Sequence, residues 1–431
     1  MPQIHHPAFA GWPTSRTSAS VPSAREAAPS RLEQGAVWLV LAMQSGALLP
    51  LMAATDGELT EGARGLLRLS VLPIYAITLI LAARYARPML IAARRSLPLV
   101  ALVALTLMSV LWSIAPALSL RRAIALILTL MLSQVLAVMF TPRQLTVTVA
   151  RVTGLCLAGS LIMALADPGL AFMPGETALR GVYLNKNVLG WIAALATVSG
   201  AVTFLDPWTR HRRTGLVVLG LGVVCVLMSQ SSSSLLAAVM ALMLALAHVL
   251  LARAQGLGRV LMLSGFLVLA LLLLLFLSTL LVPLLQALGK DATLTGRVPL
   301  WALVDARIAA RPWLGYGYQA FWTQGSVDAW GIWTAIGWTS PHAHNGYRDT
   351  LLSLGITGAA LLAVVLVQAL MRAMRLHLAR PAMGWLWPNA LLGHSLILNL
   401  SESALLFQND LQWILTATVV TMAALHAPRR C

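Results

Sequence analysis

A chain of 431 residues that is 59% hydrophobic, only 10% charged and +0.81 in mean hydropathy is far too apolar for an ordinary water-soluble domain. Its net charge of +16 would suit a nucleic-acid binder, but the arginines gather in loops on one side of long apolar runs, which excludes that reading. Runs able to cross about 30 Å of hydrocarbon recur along the chain and make it a polytopic membrane protein.

Runs of roughly 20 Leu, Ala and Val residues satisfy their own backbone as helices, whereas barrel strands would alternate over about 10. The expected fold is therefore all-α, with about 12 transmembrane helices. Residues 1–34, rich in Pro, Ser, Ala and Arg and without apolar periodicity, are expected to be a disordered cytoplasmic tail. Spans are expected near 36–54, 67–83, 98–112, 123–140, 150–166, 187–205, 215–229, 234–252, 261–287, 346–370, 388–404 and 411–426. They make one membrane domain over 35–427, with a cytoplasmic end at 428–431 and one large loop, 288–345, between the ninth and tenth helices. The first span takes the place of a signal sequence and stays as an anchor.

Arg84, Arg87, Arg94 and Arg95, then Arg210, Arg212 and Arg213, then Arg253 and Arg259, then Arg372, Arg375 and Arg380, and finally Arg429 and Arg430 fall on one side of these spans. The positive-inside rule makes that side the cytoplasm, so both termini are expected inside and the loop 288–345 outside. The acidic loop with Asp56, Glu58 and Glu61 then falls outside, as do Arg121 and Arg122 against the trend. Cys156, Cys225 and Cys431 are too scattered for a disulfide framework or a metal knuckle.

The large loop carries the densest polar chemistry. Leu300, Leu303, Val304 and Ile308 predict a short interfacial helix over 298–311, followed by a turn at Pro312-Trp313 and two glycines. Trp301, Trp313, Tyr316, Tyr318, Trp322, Trp330, Trp333 and Trp338 fit either an aromatic belt at headgroup depth or stacking faces for sugar rings. Arginine offers planar paired donors that match phosphate oxygens, so an outer arginine beside the lipid suits a lipid-linked pyrophosphate. Snorkelling to lipid headgroups accounts equally well for Arg307, Arg311 and Arg348, whereas Arg297 and Arg180 favour function. Lys186 offers a third positive charge or a helix-end anchor; it and Lys290 are the two lysines of the chain.

His342 and His344 flank one alanine, and the pair is expected to lack the completing carboxylate or cysteine that a metal site needs. A neutral imidazole there can take the proton of an attacking hydroxyl, or can bond the start of the tenth helix with Asn345 as its N-cap. Glu402 either orients that site, bonds a sugar hydroxyl, or partners a membrane-embedded serine or histidine such as His394.

The motif order is Arg180-Gly-x-Tyr183-x-Asn-x-Asn187, a Ser run at 229–234, Thr295-Gly-Arg297-x-x-x-Trp301, Pro312-x-x-Gly-x-Gly317 and His342-x-His344-Asn345-x-Tyr347. This order resembles the bacterial O-antigen ligase and polysaccharide polymerase superfamily of the Wzy/WaaL type over about residues 100–415. Trp112-Ser113 with Pro116, and Asn399-Leu-Ser-Glu402, look most like its exopolysaccharide polymerase branch, of the ExoQ kind.

The resemblance implies an inverting, metal-independent and cofactor-free glycosyltransferase with a GT-C-like membrane fold. Its donor would be an undecaprenyl-pyrophosphate-linked oligosaccharide and its acceptor a glycan or lipid-linked glycan, with a flippase and a chain-length regulator as partners and no nucleic acid. Carried over residue by residue, Arg180 and Arg297 hold the pyrophosphate and His344 is the histidine near the acceptor. Tyr183, Lys186, Asn187, Trp301, His342, Asn345, Tyr347 and Glu402 are the candidate substrate contacts. The Gln-Ser-rich turn departs from the arginine-containing version common among relatives, so no third phosphate contact is carried over. Polymerisation of repeat units is the expected activity. The alternatives are ligation to lipid A core and, in another class, flipping of lipid-linked sugars, which tends to show inverted repeats that this chain lacks.

Overall fold

The computed structural model describes residues 29–47, 69–262 and 297–428, with Gly62, Gly65, Ser264, Gly265 and Val268. Nearly all of the expected tail, the acidic loop at 56–61, most of the expected ninth span, the loop start at 288–296 with Lys290, and Arg429 to Cys431 lie outside the described residues. The described residues are helical, with a single isolated β-bridge between Phe172 and Leu179.

Ser30 and Glu33 form a capping box that starts α1 (Arg31–Gln44), so residues 31–34 are helical. Next come α2 (Leu72–Arg84), α3 (Ala86–Arg95) and α4 (Leu97–Met108), which ends in a 3₁₀ turn at Ser109–Leu111. The central helices are α5 (Pro116–Met139), α6 (Pro142–Ala166), α7 (Lys186–Leu205), α8 (Arg212–Met228) and α9 (Ser232–Arg253). After the undescribed stretch follow α10 (Arg297–Ala310), α11 (Val327–Ile336), α12 (Gly346–Ala379), α13 (Leu386–Leu398) and α14 (Leu411–His426). Proline opens the first turn of α2, α4, α5 and α6, where its missing N–H has no intrahelical partner to lose.

Among the described residues, α5, α6, α7, α9 and α12 are long and apolar enough to cross a membrane, making five spans, or six if α2 and α3 count as one bent by 91°. The sequence placed spans also at α1, α8, α13 and α14, which are 14, 17, 13 and 16 residues long. The expected span 388–404 is corrected at its end: α13 stops at Leu398, where Asn399 turns the chain and its Oδ1 accepts the N–H groups of Ala404 and Leu405 at 2.8 and 2.9 Å. The loop expected after the second span is instead α3, which carries Arg87, Arg94 and Arg95, and Arg95 donates to the carbonyl of Leu425.

Close helix approach explains the central packing. A Cβ on Gly200 would lie 2.5 Å from the Leu219 nitrogen, and one on Gly215 would lie 2.4 Å from the Phe204 nitrogen, so α7 and α8 touch backbone to backbone. Deep in the bundle, Ser395 of α13 bonds Thr416 and Gln412 of α14 at 2.7 and 2.8 Å, and Ser133 of α5 bonds the Ile414 carbonyl at 3.0 Å. These hydroxyls join helices that apolar contact alone would not drive together in lipid.

The expected interfacial helix is present as α10, and the loop around it has an apolar core of its own, built from Leu300, Val304, Tyr316, Phe321, Ile332, Trp333 and Leu352. Many of the loop's aromatics are therefore packing residues: Tyr316 is 2% and Trp333 7% exposed, while Trp313 is 69% exposed. The Pro-x-x-Gly-x-Gly segment is a docking device. Tyr316 and Gly317 donate to the Leu352 and Ser353 carbonyls at 2.7 and 3.1 Å, and Ile356 donates to the Pro312 carbonyl at 2.7 Å. This pairing needs the break in α12 at Gly355, whose φ of 63° is left-handed and whose Cβ, if present, would lie 2.3 Å from Trp313. Trp112 and Ser113 serve the same joint, with the indole N–H on the Leu314 carbonyl at 2.9 Å.

The helices separate two ends. One holds the loops at 112–115, 167–185, 229–231, 311–345 and 399–410, tied to one another by backbone bonds such as Ile114 to Tyr316 and Leu179 to Met228. The other, about 36 Å away along the 24 residues of α5, holds Arg143 on Asp206 and on the Ala382 carbonyl, and Arg212 on the Phe204 carbonyl.

Candidate active site

Asn345 ends the polar loop and caps α12, its Oδ1 accepting the N–H groups of Tyr347 and Arg348 at 3.1 and 3.0 Å. Its own N–H donates to Ser403, and its side-chain N–H to the Leu400 carbonyl, both at 3.0 Å. The segment after α13 is thereby laid across the start of α12, with the Gly346 N–H donating to the carbonyls of Asn399 and Glu402 at 2.9 Å. A Cβ at Gly346 would collide with the Asn399 side chain at 2.2 Å, so the Asn-Gly pair and Asn399 belong to one joint.

That joint delivers Glu402 into the loop's interior, where its side chain is 1% exposed. Arg297, at the first turn of α10, donates through Nη2 to Glu402 Oε1 at 2.8 Å. His344 sets Nδ1 3.4 Å from Oε2 of the same carboxylate, and Ser233, from the Ser run at the start of α9, reaches Oε1 at 3.4 Å. One buried carboxylate thus joins residues separated by 105, 58 and 169 positions. Of the partners open to Glu402, His394 is not the one: the carboxylate meets Arg297, His344 and Ser233, a histidine and a serine among them.

His344 has φ 50°, a left-handed conformation that costs a non-glycine residue free energy and is held by its surroundings. Its ring centroid is 4.2 Å from that of His342, and its N–H donates to His342 Nδ1 at 3.2 Å. His342 therefore carries its proton on Nε2. Burial, then the charges of His344 and Arg297, hold its ionisation down to about 3, so it is neutral throughout the physiological range. Trp338 borders His344 with ring centroids 5.9 Å apart.

The other candidates divide between frame and rim. Trp301 donates to the Ala343 carbonyl, and Tyr347 to the Leu396 carbonyl, each at 2.8 Å, so both brace the histidine segment. Tyr183 is fully buried in the main core. Asn187 lies in the first turn of α7, its N–H on Asn185, and Lys186 beside it is paired with Glu176. Arg180 is 5% exposed and donates through Nε to the Leu170 carbonyl at 3.0 Å.

Among the described residues no hydrogen bond joins Arg180 to the Arg297 cluster. Their segments meet through the 229–234 turn instead: Leu179 donates to Met228, Gln230 donates to Thr177 at 2.9 Å, and Ser233 continues to Glu402. Arg348 donates through Nε and Nη2 to the two carboxylate oxygens of Asp305 at 2.7 and 2.9 Å, Arg307 pairs with Asp328 at 3.0 Å, and Arg311 lies over the Tyr316 ring. These three support the loop's own fold. Among the described residues no three His, Cys, Asp or Glu side chains are placed to hold a metal ion.

Asp349 and Ser403 were not singled out from sequence. The Asp349 carboxylate receives the Ala343 N–H at 3.0 and 3.1 Å, the Trp322 indole at 2.8 Å and the Ser403 hydroxyl at 2.5 Å, and so fixes the His-Ala-His segment from behind. An acidic residue one turn into an otherwise apolar span was the available signal.

The polar centre at one end of this apolar helical bundle can be set beside two comparisons with known proteins. Residues 215–363, from α8 into α12, match the family described as O-Antigen ligase. The chain is also similar to the exopolysaccharide production protein ExoQ of Rhizobium meliloti (strain 1021), with 28% identity over 321 residues covering 70% of this chain and 71% of that protein. The resemblance read from the motifs therefore holds, both to the superfamily and to its exopolysaccharide branch.

Proposed function

We propose that the chain is an inverting glycosyltransferase that polymerises undecaprenyl-pyrophosphate-linked repeat units. The observation that carries this reading is the buried Glu402 joining Arg297 to His344. With Nδ1–H of His344 directed at the carboxylate, Nε2 is the acceptor nitrogen and takes the proton of the acceptor hydroxyl. The hydroxyl oxygen attacks the anomeric carbon from the face opposite the leaving group, inverting it. The anomeric C–O bond breaks and its electron pair leaves with undecaprenyl pyrophosphate. Arg297 and Arg180 neutralise the charge that accumulates on the diphosphate, a role that planar paired donors serve well.

Similarity to an exopolysaccharide production protein favours the polymerase, and the family description favours a ligase acting on lipid A core. The test is purified protein in liposomes with lipid-linked repeat unit. Release of undecaprenyl pyrophosphate with ladders of longer lipid-linked glycan is expected. Release only when lipid A core is added would replace polymerase by ligase, and no release under either condition would sink glycosyl transfer altogether.

The orientation belongs to the same proposal: inner membrane, both termini cytoplasmic, the reacting end periplasmic. Arg143, Arg212 and the α3 arginines lie at the end opposite Glu402, in keeping with the positive-inside rule. In a cysteine-free background, Val327→Cys, at a position 86% exposed, should react with an impermeant thiol reagent in intact spheroplasts, and Gln255→Cys should not. Labelling at 255 alone would reverse the orientation.

A further inference from the structure

Beside the histidine pair lies a cavity of ≈ 240 Å³ that the reaction as derived does not use. Neither Arg180 nor Arg297 lines it, so the diphosphate is not its occupant. Asp349 borders it, but that carboxylate already receives the Ala343, Trp322 and Ser403 donors, which argues against a cation. The remaining walls combine two kinds of surface. Trp322 and Phe407 supply aromatic side chains, while Arg122, Gln319 and Gln408 supply a guanidinium and two amides. Gln408 Oε1 accepts from the Tyr318 hydroxyl at 3.1 Å and Gln319 Nε2 reaches the Leu406 carbonyl at 3.5 Å, which leaves the Gln408 NH₂ for a ligand.

A sugar ring needs both kinds. Its axial C–H groups form an apolar face that stacks on an aromatic ring, and its hydroxyls project sideways, where planar amide and guanidinium groups can pair with them. The cavity falls somewhat below the about 300–1,000 Å³ of drug-sized sites, which suits a single ring better than an oligosaccharide.

The place of the cavity fixes which sugar. His342 forms part of the wall, with Phe407 6.4 Å from it between ring centroids, and His344 stands 4.2 Å beyond by the same measure. A ring seated there lies against His342, whose neighbour is the base, in a cavity that has neither diphosphate arginine in its wall. The walls are also built at a cost: Gln319 and Leu406 both hold left-handed φ, at 50° and 57°, conformations kept by non-glycine residues mainly where surroundings over-determine them. Arg122 is fixed at the rim by its bond to the Gln319 carbonyl.

We propose that this cavity seats the terminal sugar of the acceptor glycan, with Phe407 as stacking face and Arg122, Gln319 and Gln408 holding its hydroxyls. This rests on the glycosyl-transfer reading above and adds to it the place and chemistry of acceptor recognition.

The probe is the free reducing saccharide released by mild acid from the lipid-linked donor, offered to the purified full-length protein. Phe407→Leu and Gln408→Ala should each raise the acceptor KM about three- to tenfold, more than they lower kcat, and leave the donor KM in place. Phe407→Trp, which keeps an aromatic face, should restore the acceptor KM and guards against a folding defect. A donor KM that moves instead, or an acceptor KM unmoved in both variants, would overturn the proposal. Saccharide binding read by tryptophan fluorescence without donor separates the two readings. Binding that Phe407→Leu weakens supports the cavity even if no undecaprenyl pyrophosphate is ever released, and absent or unaltered binding overturns it.

Discussion

Arg297→Ala is expected to lower the rate of glycan transfer by about 10²–10³, the usual cost of removing one preorganised charge contact from a site that excludes water. Lysine should rescue it poorly, because a point charge cannot offer the paired planar donors that match a diphosphate while also holding Glu402. The substitution has a second consequence that must be separated from the first. Glu402 is 1% exposed, and Arg297 is its cationic partner at 2.8 Å. Removing one member of a buried pair leaves a charge without compensation and costs about 3–5 kcal/mol. The double variant Arg297→Ala with Glu402→Gln should therefore recover thermal stability in detergent but not activity. If the double variant also recovers wild-type transfer, Arg297 serves the fold alone and the diphosphate assignment fails.

How much of this was legible in the sequence depends on the range of the interaction. The long helices α5, α6, α7 and α9 could be read because apolar composition over some twenty residues is a local property that lipid enforces. Their ends were less legible. Arg121 and Arg122 interrupt the hydropathy, so the sequence predicts a span only from 123, yet α5 starts at Pro116 and Arg122 bonds to the Gln319 carbonyl. Likewise, the apolar run at 388–404 does not reveal that Asn399 turns the chain back onto Gly346.

In the site, residue types could be named because histidine, arginine and glutamate beside a bilayer are expensive. Their partners could not, since Glu402 meets Arg297 and Ser233 across more than a hundred residues. The same limit applies to the motifs. Trp112-Ser113 and Pro312-x-x-Gly-x-Gly317 carry the resemblance, but what they do is dock the loop onto α12. Arg122, Gln319 and Gln408 share a cavity only because α5, the loop and the segment before α14 converge.

His344→Ala should be as damaging as the loss of Arg297, about 10²–10⁴ in rate if the imidazole is the general base, while His342→Ala should cost far less. The asymmetry follows from the geometry. His344 is the histidine whose Nδ1 faces a carboxylate, so its tautomer is set and Nε2 is free to accept, whereas His342 Nδ1 is occupied by the His344 N–H. The pH dependence distinguishes the two as well. With His342 held down to about 3 by burial and by the neighbouring positive groups, it stays neutral from pH 8 to well below pH 5 and cannot produce a loss of activity in that interval. A fall in rate on acidification within that interval therefore does not come from His342 and should persist in His342→Gln. The measurement is initial release of undecaprenyl pyrophosphate against pH for wild type and His342→Gln, normalised to correctly inserted enzyme. Wild-type transfer by a normally inserted His344→Ala protein would remove the base assignment, and loss of the acid limb in His342→Gln would transfer the role to the other ring.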